Sequence, residues 1–308
     1  MNEDIYMDYE NTTHITDTFI ARDELSVTVV TYSIIGIMAA IENAFALLIF
    51  SSSKRFRKKR NVFLFSLSLA DFIVGVLSCL VYFEKVYNSP SFGAILEAMF
   101  LVSVFSICAV SVERYIAIVA APFTYKNIIT FKRCIIVCFF YWILTMSATV
   151  ALYAIVYNEW TRFAMCVLTM VILIANYIMY FKISKALTSN DRTVTANLGQ
   201  NVIGRSKKLI RSFIILLVVS TLCWAPLCCF LVIALFSENV NENKSVLNIM
   251  YCICLSNSFI NPFIYWYSLP GAKEGVFDLI CCFKKNEDKK EHNKKQVPSQ
   301  PTTSNTTV

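Results

Sequence analysis

The chain predicts an all-α membrane protein, a bundle of seven transmembrane helices with a short amphipathic eighth helix and its N-terminus outside. Three observations carry that expectation. The 308 residues are 56% hydrophobic with a mean hydropathy of +0.57, too apolar for the surface of an ordinary soluble domain. Apolar stretches recur at roughly 26–52, 61–83, 91–118, 134–157, 163–185, 209–236 and 246–268. Each is long enough to cross about 30 Å of hydrocarbon at 1.5 Å per residue, and only a helix or a closed barrel satisfies its backbone there. Finally, the basic residues are one-sided. Of 28 Lys and Arg, only Arg22, Lys85, Arg162 and Lys244 fall on the N-terminal side, whereas the first opposite loop alone holds Lys54, Arg55, Arg57, Lys58, Lys59 and Arg60. Basic loops stay in the cytoplasm, which fixes the orientation.

The loops are too short for a further domain. The expected organisation is an extracellular disordered tail at 1–25, a seven-helix domain at 26–268, an amphipathic piece at 269–282 and a cytoplasmic disordered tail at 283–308. A multi-pass protein of the plasma membrane follows, its first span acting as its own targeting signal because Met1 begins a polar, acidic stretch. The net charge of +7 sits beside spans, where it meets anionic membrane lipid rather than nucleic acid. Nearly all of the twelve cysteines lie within spans as small apolar residues, and only Cys166 lies near the outer surface, so no disulfide between outer loops is expected.

Taken in order, the outer tail offers Asn11-Thr12-Thr13 as an N-glycosylation acceptor. The first span carries Glu42 and Asn43 in its apolar middle, and the second carries Asp71. An ionisable group at that depth costs about 2.5–3.5 kcal/mol, so it must face the interior and find partners. Asn43 alone would satisfy Asp71. With Ser103 of the third span and Asn257, Ser258 and Asn261 of the seventh, it could instead form a small polar cavity for water or Na+; Asn257 and Asn261 are four apart and share a helix face.

The third span organises the rest, because it ends in Glu113, Arg114 and Tyr115, an acid and a base at the edge of hydrocarbon. Either they anchor the helix at the interface or they form a switch. Earlier on the same span, Glu97 stands near Phe100 and Leu101, and Glu84 precedes it; both are the nearest acids to an outer pocket, to meet a cationic ligand group or to pair with Lys85 or Arg162. Trp142 marks the fourth span, and the fifth lacks proline and carries Tyr177 and Tyr180. In the sixth span Cys223-Trp224-Ala225-Pro226 puts a proline inside a helix, and in the seventh Asn261-Pro262-Phe263-Ile264-Tyr265 does so again. Each proline removes one hydrogen bond and bends its helix, which makes a hinge. After Tyr267, Cys281 and Cys282 are positioned for S-palmitoylation. Thr306-Thr307-Val308 either stays solvated or adds a strand to a PDZ-type partner.

Taken together, Asn43, Leu69-Ala70-Asp71, Glu113-Arg114-Tyr115, Trp142, Cys223-Trp224-Ala225-Pro226 and Asn261 to Tyr265 resemble the rhodopsin-like (class A) G-protein-coupled receptors, over about residues 26–282. The resemblance implies an extracellular ligand, an outward swing of the sixth helix, a heterotrimeric G protein engaged by a crevice lined by Arg114, Tyr180 and Tyr265, and arrestin-type regulators. Within that family the chain is most similar to melanocortin receptors and their cannabinoid, lysophospholipid and adenosine relatives, through Glu42-Asn43, Tyr125 to Thr130 with Lys132-Arg133, the short second outer loop and Ile280-Cys281-Cys282. It departs from the melanocortin pattern where Val81, Ser89 and Gly93 stand in place of three outer carboxylates, and where Asn261 replaces an aspartate. Leu96 stands where amine receptors use an aspartate, and no lysine lies near Leu255 as opsins require. The competing reading is an ion-coupled transporter or channel with Asp71 and Glu42 as ion sites, but the internal repeats that would favour it are missing. An enzyme is not expected: the only histidines, His14 and His292, lie in the tails.

Overall fold

The computed structural model describes residues 3–52, 56, 58–80, 90–155, 159–188, 200–236 and 244–268, with the side chains of 3–26, 60, 90, 159, 200–207, 244, 265 and 268 outside that description. Seven long helices appear: α1 (Glu3–Ser52), α2 (Val62–Cys79), α3 (Pro90–Tyr115), α4 (Phe131–Ile155), α5 (Glu159–Thr188), α6 (Gln200–Phe236) and α7 (Lys244–Ser268). All seven contain a stretch apolar and long enough to cross a membrane. The short pieces between them are a 3-10 turn at Lys59–Asn61, a π-helical segment at Ile116–Ala120 and one helical turn at Tyr125–Ile128.

Three helix ends run past the sequence reading. α1 begins at Glu3, so most of the expected disordered tail continues the first helix; residues 3–26 hold neither Gly nor Pro to stop it. α5 and α6 likewise run on past the expected apolar stretches 163–185 and 209–236, to Thr188 and from Gln200. Once a helix is nucleated in the bilayer, adding residues in water is cheap. The amphipathic piece at 269–282, the C-terminal tail, Glu84, Cys281, Cys282 and the side chains of Asn11 and Tyr265 lie outside the described residues.

Contacts run α1 to α2, α2 to α3, α3 to α5, α5 to α6, α6 to α7 and α7 back to α1, a closed ring. α4 stands outside it, against α3 and α2. The sequence explains the difference. α3 buries residues around its whole circumference, among them Ala98, Met99, Val102, Val104 and Ile107. α4 buries Tyr141, Thr145, Thr149 and Tyr153, a single stripe of every fourth residue, and leaves Ile136, Phe139, Phe140 and Ile143 exposed to lipid. α1 and α2 approach most closely at two glycines. A Cβ at Gly75 would stand 2.6 Å from the Ala40 nitrogen, and one at Gly36 would stand 2.8 Å from the Gly75 carbonyl oxygen, so only glycine fits either place.

Candidate functional site: an outer cavity, a polar core and an inner lock

Three polar stations are stacked through the bundle. The outermost is a cavity of ≈ 340 Å³ lined at the N-terminal side by residues from all seven helices, including Tyr32, Phe92, Glu97, Tyr153, Arg162 and Tyr251. Tyr153 of α4 donates a hydrogen bond to Glu97 of α3, Arg162 of α5 lies within electrostatic range of that carboxylate, and Arg162 also meets Tyr251 of α7. The acid is therefore held by a tyrosine and a base from two other helices. The floor is aromatic: Phe100 of α3 meets Trp224 of α6 edge to face, with centroids 5.5 Å apart at 86°. Of the sequence candidates, Glu97, Phe100 and Trp224 line this cavity. Leu101 does not; one residue beyond Phe100 is about 100° round the helix, and it is buried in the packing instead. Tyr153 and Tyr251 were not anticipated. The every-fourth-residue stripe of α4 was the one available signal for Tyr153.

The middle station surrounds Asp71, which is fully buried. Ser258 Oγ donates to Asp71 Oδ1 at 2.8 Å and Asn261 Nδ2 to Oδ2 at 2.7 Å. Ser103 is close enough to interact with the same carboxylate, but its hydroxyl closes no hydrogen bond. Asn257 is turned toward α6 and accepts a bond from Ser220 Oγ at 2.9 Å. Asn43 does not partner Asp71 as the simplest sequence reading had it. Its Nδ2 donates to Ser258 O at 2.9 Å and to Ala39 O at 2.9 Å. The physical reason lies four residues along: Pro262 has no N–H to offer the Ser258 carbonyl, and Asn43 supplies the missing donor. Oδ1 of Asn43, Oγ of Ser103 and Oδ1 of Asn261 remain buried without partners. One carboxylate with neutral oxygen atoms nearby is a donor set that fits a monovalent cation or water.

Both prolines lie inside unbroken helices. At the α6 proline, Cys254 Sγ of α7 reaches Cys223 O at 3.2 Å, so α6 and α7 are tied beside Trp224. Trp224 itself is buried with its indole N–H unpartnered.

The innermost station is the end of α3. Arg114 Nε lies 2.8 Å from Glu113 Oε2, a charge–charge contact rather than a directed hydrogen bond, with side chains 14% and 1% exposed. The other carboxylate oxygen accepts a hydrogen bond from Tyr125. Tyr125 is brought there by the π segment, whose wide turn closes with Ala121 N donating to Ile116 O at 3.0 Å, followed by the Tyr125–Ile128 turn. Lys59 caps the arrangement from the first inner loop, its Nζ 4.4 Å above the Tyr125 ring and 2.5 Å from Ile129 O. Burial and then the Glu113 charge push the Tyr125 phenol above its ordinary value of 10, so it stays a donor. Tyr180 of α5 is buried, stacked on Phe213 of α6 with centroids 6.2 Å apart, and lies in the field of Arg114. Tyr115 meets Lys182 at 6.0 Å. The sequence named Arg114, Glu113 and Tyr180; it used Tyr125 only as part of the run that carries the subfamily likeness.

An outward cavity, a buried polar core and an acid–base pair at the opposite end thus run through one membrane bundle. Residues 42–265 match the 7 transmembrane receptor (rhodopsin family), and the chain belongs to that family. Its members are receptors and not enzymes, and this is a multi-pass protein of the plasma membrane. Among curated relatives, it is 24% identical to the Tachykinin-like peptides receptor 86C of Drosophila melanogaster over 302 residues, 84% of this chain and 60% of that one. It is 24% identical to Cannabinoid receptor 2 of Mus musculus over 266 residues, 76% of this chain and 75% of the other. It is also 24% identical to Melanocortin receptor 4 of Danio rerio over 295 residues, 85% and 86% of the two chains.

Proposed function

We propose that the protein converts binding of an extracellular ligand in the outer cavity into nucleotide exchange on a heterotrimeric G protein, by movement of α6. The observation that carries this is the continuity of the three stations along α3 and α6. A ligand that displaces Trp224 from Phe100 acts beside Pro226, which has no N–H to close the backbone bond of its turn. Motion of the inner half of α6 takes Phe213 away from Tyr180 and opens a path to Arg114. Arg114 then exchanges Glu113 for the G protein. Tyr265, on the same inner end of α7, contributes to that crevice, and Na+ near Asp71 holds the resting arrangement.

The subfamily we infer is the melanocortin group with its cannabinoid relatives, supported by the Glu42-Asn43 pair and the short second outer loop. The equal identities to peptide, cannabinoid and melanocortin receptors leave the ligand to be argued from the cavity. Glycosylation at Asn11, palmitoylation at Cys281 and Cys282, arrestin binding and a PDZ contact at Val308 complete the proposal. The decisive experiment is Arg114→Ala in cells co-expressing G proteins. Nucleotide exchange, basal or ligand-driven, should fall at least tenfold while surface expression holds. Equal exchange by wild type and variant would refute the reading.

A further inference from the structure

Two hollows meet at one side chain. Beside the outer cavity, a second hollow of ≈ 460 Å³ lies between α5 and α6, walled by hydrocarbon and sulfur: Val167, Val171 and Ile174 on one side, Cys228, Val232 and Ile233 on the other. It opens on the lipid-facing surface, where Val171 is 57% and Val232 41% exposed, within the spans of both helices. Cys166 lines both hollows. It is buried, and Cys228 Sγ reaches its carbonyl oxygen at 3.8 Å, so the two cysteines pack against each other where the hollows adjoin.

The other end of the cavity has the opposite character. Glu97 and Arg162 face each other there, one acid and one base, each met by a tyrosine hydroxyl. Their charges cancel overall. The complement of that pair is a group that also carries both signs.

We propose that the ligand is a single-chain lipid with a zwitterionic head, which sets its cation against Glu97 and its anion against Arg162 and passes its tail by Cys166 into the α5–α6 groove, entering from the outer leaflet. The inference rests on the receptor reading above and names the ligand class of that site. The tail lies against α6 on the same helical segment as Trp224 and Pro226, so occupying the groove bears on the hinge. A methylene already dissolved in bilayer hydrocarbon gains little by moving into an apolar groove. Affinity therefore comes from the head, and the tail shows a length cut-off set by the groove rather than a steady gain per carbon.

The test uses the full-length protein in phosphatidylcholine nanodiscs and a lysophosphatidylcholine carrying a terminal diazirine and a clickable handle. After irradiation, adducts should map to residues 163–174 and 228–233 and be competed at least tenfold by unlabelled lysophosphatidylcholine. Val171→Trp and Val232→Trp, at exposed groove positions, should cut the competed fraction at least fivefold, and Arg162→Gln should do so from the head end; the melting midpoint of each variant separates lost binding from lost fold. Adducts that are not competed, that form equally with a diazirine-bearing two-chain phosphatidylcholine, or that survive all three substitutions mean ordinary bilayer contact and overturn the proposal. Nucleotide exchange by the unlabelled wild type, and its loss on Arg114→Ala, reports on the receptor reading separately. Intact exchange without competed labelling removes the lipid class and leaves the receptor.

Discussion

At its outer end α3 carries Glu97, which accepts a hydrogen bond from Tyr153 of α4 and lies in the field of Arg162 of α5. About 24 Å further along the same helix, at 1.5 Å per residue, Glu113 accepts a hydrogen bond from Tyr125 and pairs with Arg114. The chemistry is the same, a carboxylate shared between a tyrosine and an arginine. The difference is where the arginine comes from. At the outer end it belongs to another helix and the acid borders a cavity, so a ligand can come between the two charges. At the inner end it is the next residue, on the same backbone, and the carboxylate is almost wholly buried. That pair cannot be parted by sliding helices; it opens when another group competes for the guanidinium.

The largest effect should come from making the inner end resemble an empty outer one. Glu113→Gln keeps the size of the side chain and removes its charge, leaving Arg114 without its partner. Arg114 is 14% exposed and reaches water, so the substitution costs about 1–1.5 kcal/mol rather than the full penalty of a stranded buried charge. Basal nucleotide exchange should rise roughly tenfold. A basal rate equal to wild type would mean that the pair does not restrain the resting state.

Tyr125→Phe acts on the same carboxylate with the opposite sign. Without the phenol, Glu113 has only Arg114 to neutralise it, and the second inner loop loses its tie to α3. Basal exchange should fall about two- to fivefold, the weight of one hydrogen bond of about 0.5–1 kcal/mol. Because burial and Glu113 raise the phenol above 10, its bond is fully present below about pH 10 and lost only as pH climbs higher. Exchange followed between about pH 6 and pH 9 should therefore show no inflection that disappears in the Tyr125→Phe variant.

How much of this could be read from the chain follows the same division. The inner pair is adjacent in sequence at the end of an apolar run, so Glu113 and Arg114 announce themselves. Pro226 and Pro262 do so as well, because a helix-breaking residue in a span is visible without a structure. Tyr125 reaches Glu113 only because a π turn re-aims the loop, and nothing in Ile116–Ala120 signals the wider turn. Asn43 was legible as a polar residue that needed a partner; that the partner is the carbonyl freed by Pro262 depends on how α1 and α7 face each other. The seven spans were legible because hydrocarbon thickness sets their length. Their ends in water were not, since α1, α5 and α6 continue where no such constraint applies.

Tyr153 was marked in the sequence only by its place in the α4 stripe, and its removal gives the smallest expected effect. Tyr153→Phe leaves the ring in the α3–α4 contact and takes away only the hydroxyl that Glu97 accepts from. Glu97 keeps Arg162 nearby and borders a cavity that admits water, so the loss is of order 0.5–1 kcal/mol. In detergent the melting midpoint should drop by about 1–2 °C, and basal exchange should stay within about 1.5-fold of wild type, since the outer carboxylate does not restrain Arg114. If Tyr153→Phe instead shifted basal exchange as far as Tyr125→Phe, the two ends of α3 would be coupled already at rest. The outer triad would then be part of the lock rather than the place where a ligand reaches it.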